Sequence, residues 1–156
     1  MKQLDFTVRS NEKLNDQNHL LKVVPSDNEQ LPEMLPGQFV QILVENAQHT
    51  FLRRPISINN IVPERNEIWL LVQSVGEGTQ KICEMAVGWR LNMLVPLGNS
   101  FTIPSSRGSY LLVGGGVGTA PLLFLGKKLH ERGIACDFLL GGASEQNILQ
   151  RSDFTN

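Results

Sequence analysis

Three short stretches carry residue types suited to holding a phosphate. GGGVGTAP, residues 114–121, has four glycines in five positions and then opens what reads as a helix. Glycine lets the backbone approach a ligand closely, and a helix start offers unpaired N–H groups and a positive dipole end to an anion. Gly114-x-Gly116 is present, but Thr119 stands in the third place of a GxGxxG run, so a strand-to-helix turn kept for packing is the competing reading. SVGEGTQ, residues 74–80, is a second glycine turn before a helix, with Gly78 and Thr79 as its key pair. Taken alone, it reads as a plain hairpin-to-helix turn. RRPIS, residues 53–57, sets two arginines before a proline. Arginine is costly to bury without an anionic partner, so either both are solvated at a strand end or Arg54 grips a phosphate through its planar fork. Strand alternation puts Ser57 on the opposite face from Arg54. A bend after Pro55, or a ligand lying along the strand edge, would be needed to bring both to one ligand.

Other chemistries find little support. Ser57, Ser74 and Ser105 lack the G-x-S-x-G elbow of a hydrolase, and no carboxylate pair stands out. His19, His49 and His130 are scattered, and Cys83 and Cys136 lie far apart without metal-ligand spacing. A disulfide framework or a metal site is not expected within these residues. The net charge of −1 argues against a nucleic-acid footprint. The first residues lack the basic and apolar blocks of a signal peptide. The most apolar run, residues 110–126, is short and interrupted by five glycines and a proline, so no membrane span is expected and a cytoplasmic location is.

The elements that must position these stretches fall into two groups. Up to about residue 103 the chain alternates apolar and polar residues, as half-buried strands do. Leu4, Phe6 and Val8 mark the first strand, followed by HLLKVVPS (19–26), QFVQILVEN (38–46), RPISINNI (54–61), EIWLLVQSV (67–75), LNMLVPLGN (91–99) and SFTI (100–103). A turn through Pro63 and Asn66 joins two of them as a hairpin. One helix is predicted over 79–87, with Thr79 as N-cap, Ile82, Met85 and Ala86 at helical spacing, and Gly88 as its stop. Six or so short strands predict a closed antiparallel β barrel.

From Ser109 the pattern changes. YLLV reads as a buried parallel strand, and APLLFLGKKLHERG as a helix with Leu122, Leu125 and Leu129 on its apolar face, basic residues near its end and Gly133 as its stop. IACDFLLGGAS (134–144) reads as a second buried strand. Strand, glycine turn, helix and strand are the start of an α/β nucleotide-binding domain. The predicted division is a barrel domain over 1–103 and the N-terminal part of a nucleotide domain over 109–156, with the boundary in PSSRG, 104–108. Such a domain needs about five parallel strands and two are visible, so a truncated protein is expected.

Arg-Pro-Ile-Ser, then Gly-Thr before a helix, then Gly-Gly-Gly-x-Gly-x-Ala-Pro occur in the order that resembles the ferredoxin–NADP reductase superfamily. Within it, LRRPISI, VGEGTQKI and LLVGGGVGTAPLLFLGKKL resemble the electron transfer subunits of the NAD-dependent class of dihydroorotate dehydrogenase, with Ile56 in a slot where the wider superfamily has an aromatic residue. The resemblance implies a flavin-dependent oxidoreductase subunit holding FAD. Arg54 would lie on the pyrophosphate, with Pro55, Ile56 and Ser57 lining the cofactor and Ser57 near the isoalloxazine edge. Leu71, Val72 and Gln73 would contact the flavin from the next strand, largely through backbone groups, and Gly78 and Thr79 would cap the pyrophosphate. Gly115, Gly116, Gly118 and Thr119 would form the nicotinamide side for NAD. Arg53 matches no ligand position and reads as solvated or partner-facing. The resemblance further implies an FMN-containing catalytic partner, in a heterotetramer, whose electrons from dihydroorotate reach NAD+ through a [2Fe–2S] cluster and FAD. The cluster's cysteines are not among these residues, and the chain alone is expected to be inactive. A related NAD(P)H-dependent flavin subunit, of a sulfhydrogenase or transhydrogenase type, and a non-catalytic partner-binding barrel are the alternatives.

Overall fold

Alternating apolar residues close on themselves in the computed structural model, which describes residues 1–27, 29–105 and 108–155. Six strands, β1 (Lys2–Lys13), β2 (Asn18–Pro25), β3 (Phe39–Ile42), β4 (Arg54–Val62), β5 (Glu67–Gln73) and β6 (Arg90–Leu97), form a closed antiparallel barrel in the order β1-β2-β5-β4-β3-β6. Inward residues such as Phe6, Val40, Ile58, Leu70 and Met93 are fully buried and fill the interior. At about 25 cal/mol per Å2, this burial is the main source of stability. β4 and β5 join through a short 3-10 turn, Pro63–Arg65, and Asn66 takes the left-handed conformation at φ 51°. SFTI is not a strand: the Phe101 N–H bonds the Pro36 carbonyl in the loop before β3. QFVQILVEN supplies only four strand residues, since the chain turns away to Asn46, which sits at φ 58°.

The helix expected over 79–87 lies earlier, as α1 (Glu77–Cys83), with Gly76 at its N-cap. Thr79 occupies the third helical position instead of the cap, and its hydroxyl accepts from the Val75 and Gly76 N–H groups. This is the backward-reaching half of a capping box. α1 plugs one end of the barrel with Ile82 and Cys83. Burial, with the neighbouring Glu84 charge second, pushes the Cys83 thiol up to about 11 from an ordinary 9.0. The folded state therefore binds the thiol proton more tightly than the unfolded chain does. Its contribution is fully present below about pH 9 and is lost as pH rises through about 11. Stability measured by urea unfolding should fall over that window in the wild type and fall less in Cys83→Ala.

The second unit begins with β7 (Tyr110–Gly115), passes a 3-10 turn at Gly116–Thr119 into α2 (Ala120–Glu131), and returns through β8 (Cys136–Gly141), parallel to β7. The Ser106 and Arg107 positions of the expected boundary lie outside the described residues. α2 ends in a Schellman motif: Ile134 N–H bonds the Leu129 carbonyl and Gly133 N–H bonds that of His130. Gly133 supplies the required positive φ of 68°. α2 is buried on more than its predicted Leu122–Leu125–Leu129 face. Phe124 enters the barrel core, while Leu125 and Leu129 pack toward the β7–β8 sheet with Ile134. The two strands are not buried on both faces as expected. Their inner residues meet α2, whereas Leu111, Val113 and Leu139 are exposed on the other side. Among the described residues no helix is long and apolar enough to cross a membrane.

Asn60 on β4 is 1% exposed, and neither of its amide atoms has a partner among the described residues. An orphaned buried amide costs on the order of 1–3 kcal/mol. Asn60→Leu should therefore raise unfolding stability by about that amount. A lower urea midpoint in the variant would refute this.

Candidate functional site

The two arginines of RRPIS separate in space. Arg53 is not simply solvated: its part-buried guanidinium reaches back across the barrel wall. It donates to the Gln41 carbonyl at 3.3 Å, the Asn92 carbonyl at 3.2 Å and Asn92 Oδ1 at 2.6 Å, tying β4's entry to β3 and β6. Arg54 is half-buried, and its guanidinium has no hydrogen bond or ion pair among the described residues. Its stem lies over the start of α1. A Cβ built on Gly78 would stand 3.0 Å from Arg54 Cδ and 2.9 Å from Thr50 Cγ2. Gly78 is thus a cradle already filled by the Arg54 stem and Thr50, with no room for a side chain, and the free cation sits beside it.

The loop entering β4 is held there by Glu77 in the first turn of α1. Its carboxylate accepts from the Gln48 N–H at 2.7 Å, the His49 N–H at 2.8 Å and Thr50 Oγ1 at 3.1 Å. The His49 backbone bond is the leading reason that its pKa lies below the usual carboxylate value.

β4 and β5 open beside Arg54. Their ladder runs from Val62↔Glu67 to Ile58↔Leu70 and stops. Beyond it, Arg54, Pro55, Ile56 and Ser57 pair only with β3, while Leu71, Val72 and Gln73 pair only with β2. The barrel wall therefore has a seam between Arg54–Ser57 and Leu71–Gln73, edged by backbone groups. Ile56 and Val72 point into the core, Leu71 is buried under the second unit, and Ser57 and Gln73 are half-exposed. Arg54 shares its strand parity with inward Ile56 and not with Ser57, as alternation requires. It reaches the seam's end because it is the first residue of β4.

The glycine turn separates two glycines needed for folding from two that are not. Gly114 has no room, since a Cβ there would stand 2.7 Å from Leu122 Cδ1. Gly116 needs its positive φ of 53°. Gly118 has neither constraint: its φ is not in the left-handed range, and a Cβ would meet nothing within 4 Å. Gly115 is also uncrowded, its nearest contact being the Gly141 carbonyl at 3.8 Å. Thr119 is buried, and its hydroxyl donates to the Gly116 carbonyl at 2.9 Å, closing the turn.

These features suit a dinucleotide. A free guanidinium beside the bare Gly78 backbone suits a pyrophosphate. A seam edged by backbone N–H and C=O groups suits a flat ring with polar edges, and open space over Gly118 suits the close approach of a second nucleotide. The residues do not fit a [2Fe–2S] cluster, which takes four ligands, commonly thiolates. The chain has two cysteines, one in the barrel core at Cys83 and one on β8 at Cys136. Sequence reasoning passed over Asn59, Gln150 and Glu77. Asn59 is fully buried and bonds the Ala120 carbonyl and Gln150. Its only signal was a polar Asn59-Asn60 pair inside an apolar strand.

No protein-family profile matches the chain. Among solved structures, phthalate dioxygenase reductase, described as a modular structure for electron transfer from pyridine nucleotides to [2Fe–2S], superposes with TM-score 0.82 at 22% identity, covering 99% of this chain and 48% of that one. The ferredoxin reductase in carbazole 1,9a-dioxygenase gives TM-score 0.83 at 21% identity, covering 99% and 47%. An NADH-dependent reduced ferredoxin–NADP oxidoreductase gives 0.80 at 26% identity, covering 96% and 52%. The fold is that of the ferredoxin reductase-like flavoproteins.

Relatives in sequence are narrower in kind. The dihydroorotate dehydrogenase B (NAD(+)) electron transfer subunit of Shouchella clausii is 39% identical over 121 residues, 76% of this chain and 47% of the relative. That of Bacillus pumilus is 33% identical over 156 residues, 99% of this chain and 60% of the relative. Over the residues it spans, the chain is similar to these electron transfer subunits. It spans about half to three fifths of the length of the curated relatives it matches.

Proposed function

We propose that this chain is the flavin-holding part of the electron transfer subunit of an NAD-dependent dihydroorotate dehydrogenase. One observation carries the reading: Arg54 keeps a guanidinium with no partner among the described residues, against Gly78 at the end of the β4–β5 seam. Arg54 holds the pyrophosphate of FAD by charge-assisted bonds. Gly78 lets the Arg54 stem lie against the helix start, and Thr79 would contribute its backbone N–H, because its hydroxyl is engaged with Val75 and Gly76. Pro55, Ile56 and Ser57 line one edge of the seam, where Ser57 would meet the isoalloxazine edge. Leu71, Val72 and Gln73 line the other edge through their backbones. Gly115, Gly116 and Gly118 receive the nicotinamide side, and Thr119 fixes the turn that presents them. Bound FAD supplies the redox chemistry, exchanging electrons on one side and hydride with a pyridine nucleotide on the other. The side chains orient and exclude water, so no acid–base pair is required of them.

In the whole assembly the same reading supplies an FMN-containing catalytic subunit that oxidises dihydroorotate, a heterotetrameric arrangement and a cytoplasmic setting. No step is assigned to a [2Fe–2S] centre on these residues. The 26% likeness to an NADH-dependent reduced ferredoxin–NADP oxidoreductase favours one second reading, a flavin subunit of a related NAD(P)H-dependent complex.

Titrating the purified chain with FAD tests the proposal. Saturable binding with a visible flavin band that survives gel filtration is expected. No binding at excess FAD would favour a non-catalytic partner-binding barrel. Reduction of the bound flavin by dihydroorotate, dependent on an added catalytic subunit, separates the first reading from the second.

A further inference from the structure

The barrel and the second unit meet across an apolar contact of Leu71, Ala120 and Leu149, with Leu14 and Val117 at its margin. Apolar contact is non-directional and by itself fixes no register between two surfaces. Set into this contact is a pair of amides. Asn59, fully buried, donates from Nδ2 to the Ala120 carbonyl at 2.9 Å and to Gln150 Oε1 at 2.9 Å. Gln150, 9% exposed, returns a bond from Nε2 to Asn59 Oδ1 at 3.1 Å and donates to Asp153 Oδ2 at 3.0 Å. Every N–H of the two amides is used. Gln150 does this from left-handed backbone at φ 54°, a conformation uncommon outside glycine. Placement gives the pair its meaning. Asn59 lies two residues beyond Ser57 on the strand that edges the seam, and Ala120 directly follows the glycine turn. One side chain therefore ties the seam to the turn.

We propose that Asn59 and Gln150 are positioning residues, whose buried amide pair fixes the glycine turn against the β4–β5 seam and so sets the pyridine nucleotide on the flavin. The inference rests on the FAD and nicotinamide sites proposed above. Directional bonds between satisfied buried amides add little net stability but specify one arrangement. Losing them should loosen the turn while leaving the Arg54 end of the site intact.

The test compares Asn59→Leu, Gln150→Leu and the double variant with the wild type, by three measurements. FAD affinity by fluorescence titration should stay within about twofold. The long-wavelength charge-transfer absorbance formed when NADH meets the FAD-loaded chain, a signature of nicotinamide stacked on flavin, should be lost. Amide hydrogen exchange across residues 117–120 in the FAD-free chain should quicken at least about tenfold. The double variant should exchange no faster than either single one, because the pair acts as a unit. Unchanged exchange and absorbance, a fall in FAD affinity matching the loss of absorbance, or multiplicative single effects would each overturn the proposal. If Asn59→Leu does not fold, Gln150→Leu carries the test from the edge of the contact. A wild-type chain that fails to bind FAD would refute the site itself, and the exchange measurement would still decide the amide pair.

Discussion

Arg54→Ala is expected to weaken FAD binding by roughly 10- to 100-fold, and Arg53→Ala to leave affinity nearly unchanged while lowering stability. A hydrogen bond to a charged group contributes about 1.5–3 kcal/mol, and each 1.4 kcal/mol is about tenfold in affinity. Arg54 has that bond to give, since nothing in the described chain accepts it. Arg53 is held away: three of its bonds already go to Gln41 and Asn92. Removing Arg53 takes three bonds from the β3–β6 wall, although the Asn92 carbonyl keeps the Leu43 N–H, and should cost about 1–3 kcal/mol of unfolding free energy. FAD titration and urea unfolding on both variants make the check. Equal losses of affinity would remove the distinction between them. Gly78→Val gives an independent arm, because its side chain would displace Arg54 and Thr50 from the cradle.

Gly118→Val should behave in the opposite manner to Arg53→Ala. No backbone strain and no crowding greet the new side chain, so stability and FAD affinity should hold within about 0.5 kcal/mol. The space it fills is the space proposed for the nicotinamide nucleotide. Forcing extra carbon into a fitted contact costs about 1–3 kcal/mol, so NADH-dependent bleaching of the bound flavin should slow by roughly 10- to 100-fold. A variant that is bleached as fast as the wild type would place the nucleotide elsewhere.

Local pattern carried much of this architecture. Leu4, Phe6 and Val8 announced an alternating strand, and Gly133 a helix stop, because both depend on neighbours within a few residues. What was not legible depends on distant partners. Arg53 looked solvated because Asn92, which receives two of its bonds, lies on another strand. Thr79 looked like a cap because a hydroxyl before apolar residues suits either position, and only the backbone shows Gly76 at the cap. α2 showed one apolar face, yet Phe124 enters the barrel core, a contact that exists only once the barrel is closed. YLLV and DFLL read as buried on both faces, whereas one face is bare among the described residues. For the site, spacing and residue type isolated Arg54, Gly78 and the glycine turn. They gave no hint of the seam, which arises because β4 and β5 stop pairing at Ile58 and Leu70.

A crystal structure of the chain with FAD tests the central claim most directly. The account predicts the isoalloxazine in the seam between Ser57 and Leu71–Gln73, with the pyrophosphate against the Arg54 guanidinium and the Gly78 backbone. FAD bound elsewhere, or with its pyrophosphate turned away from Arg54 into solvent, would contradict it.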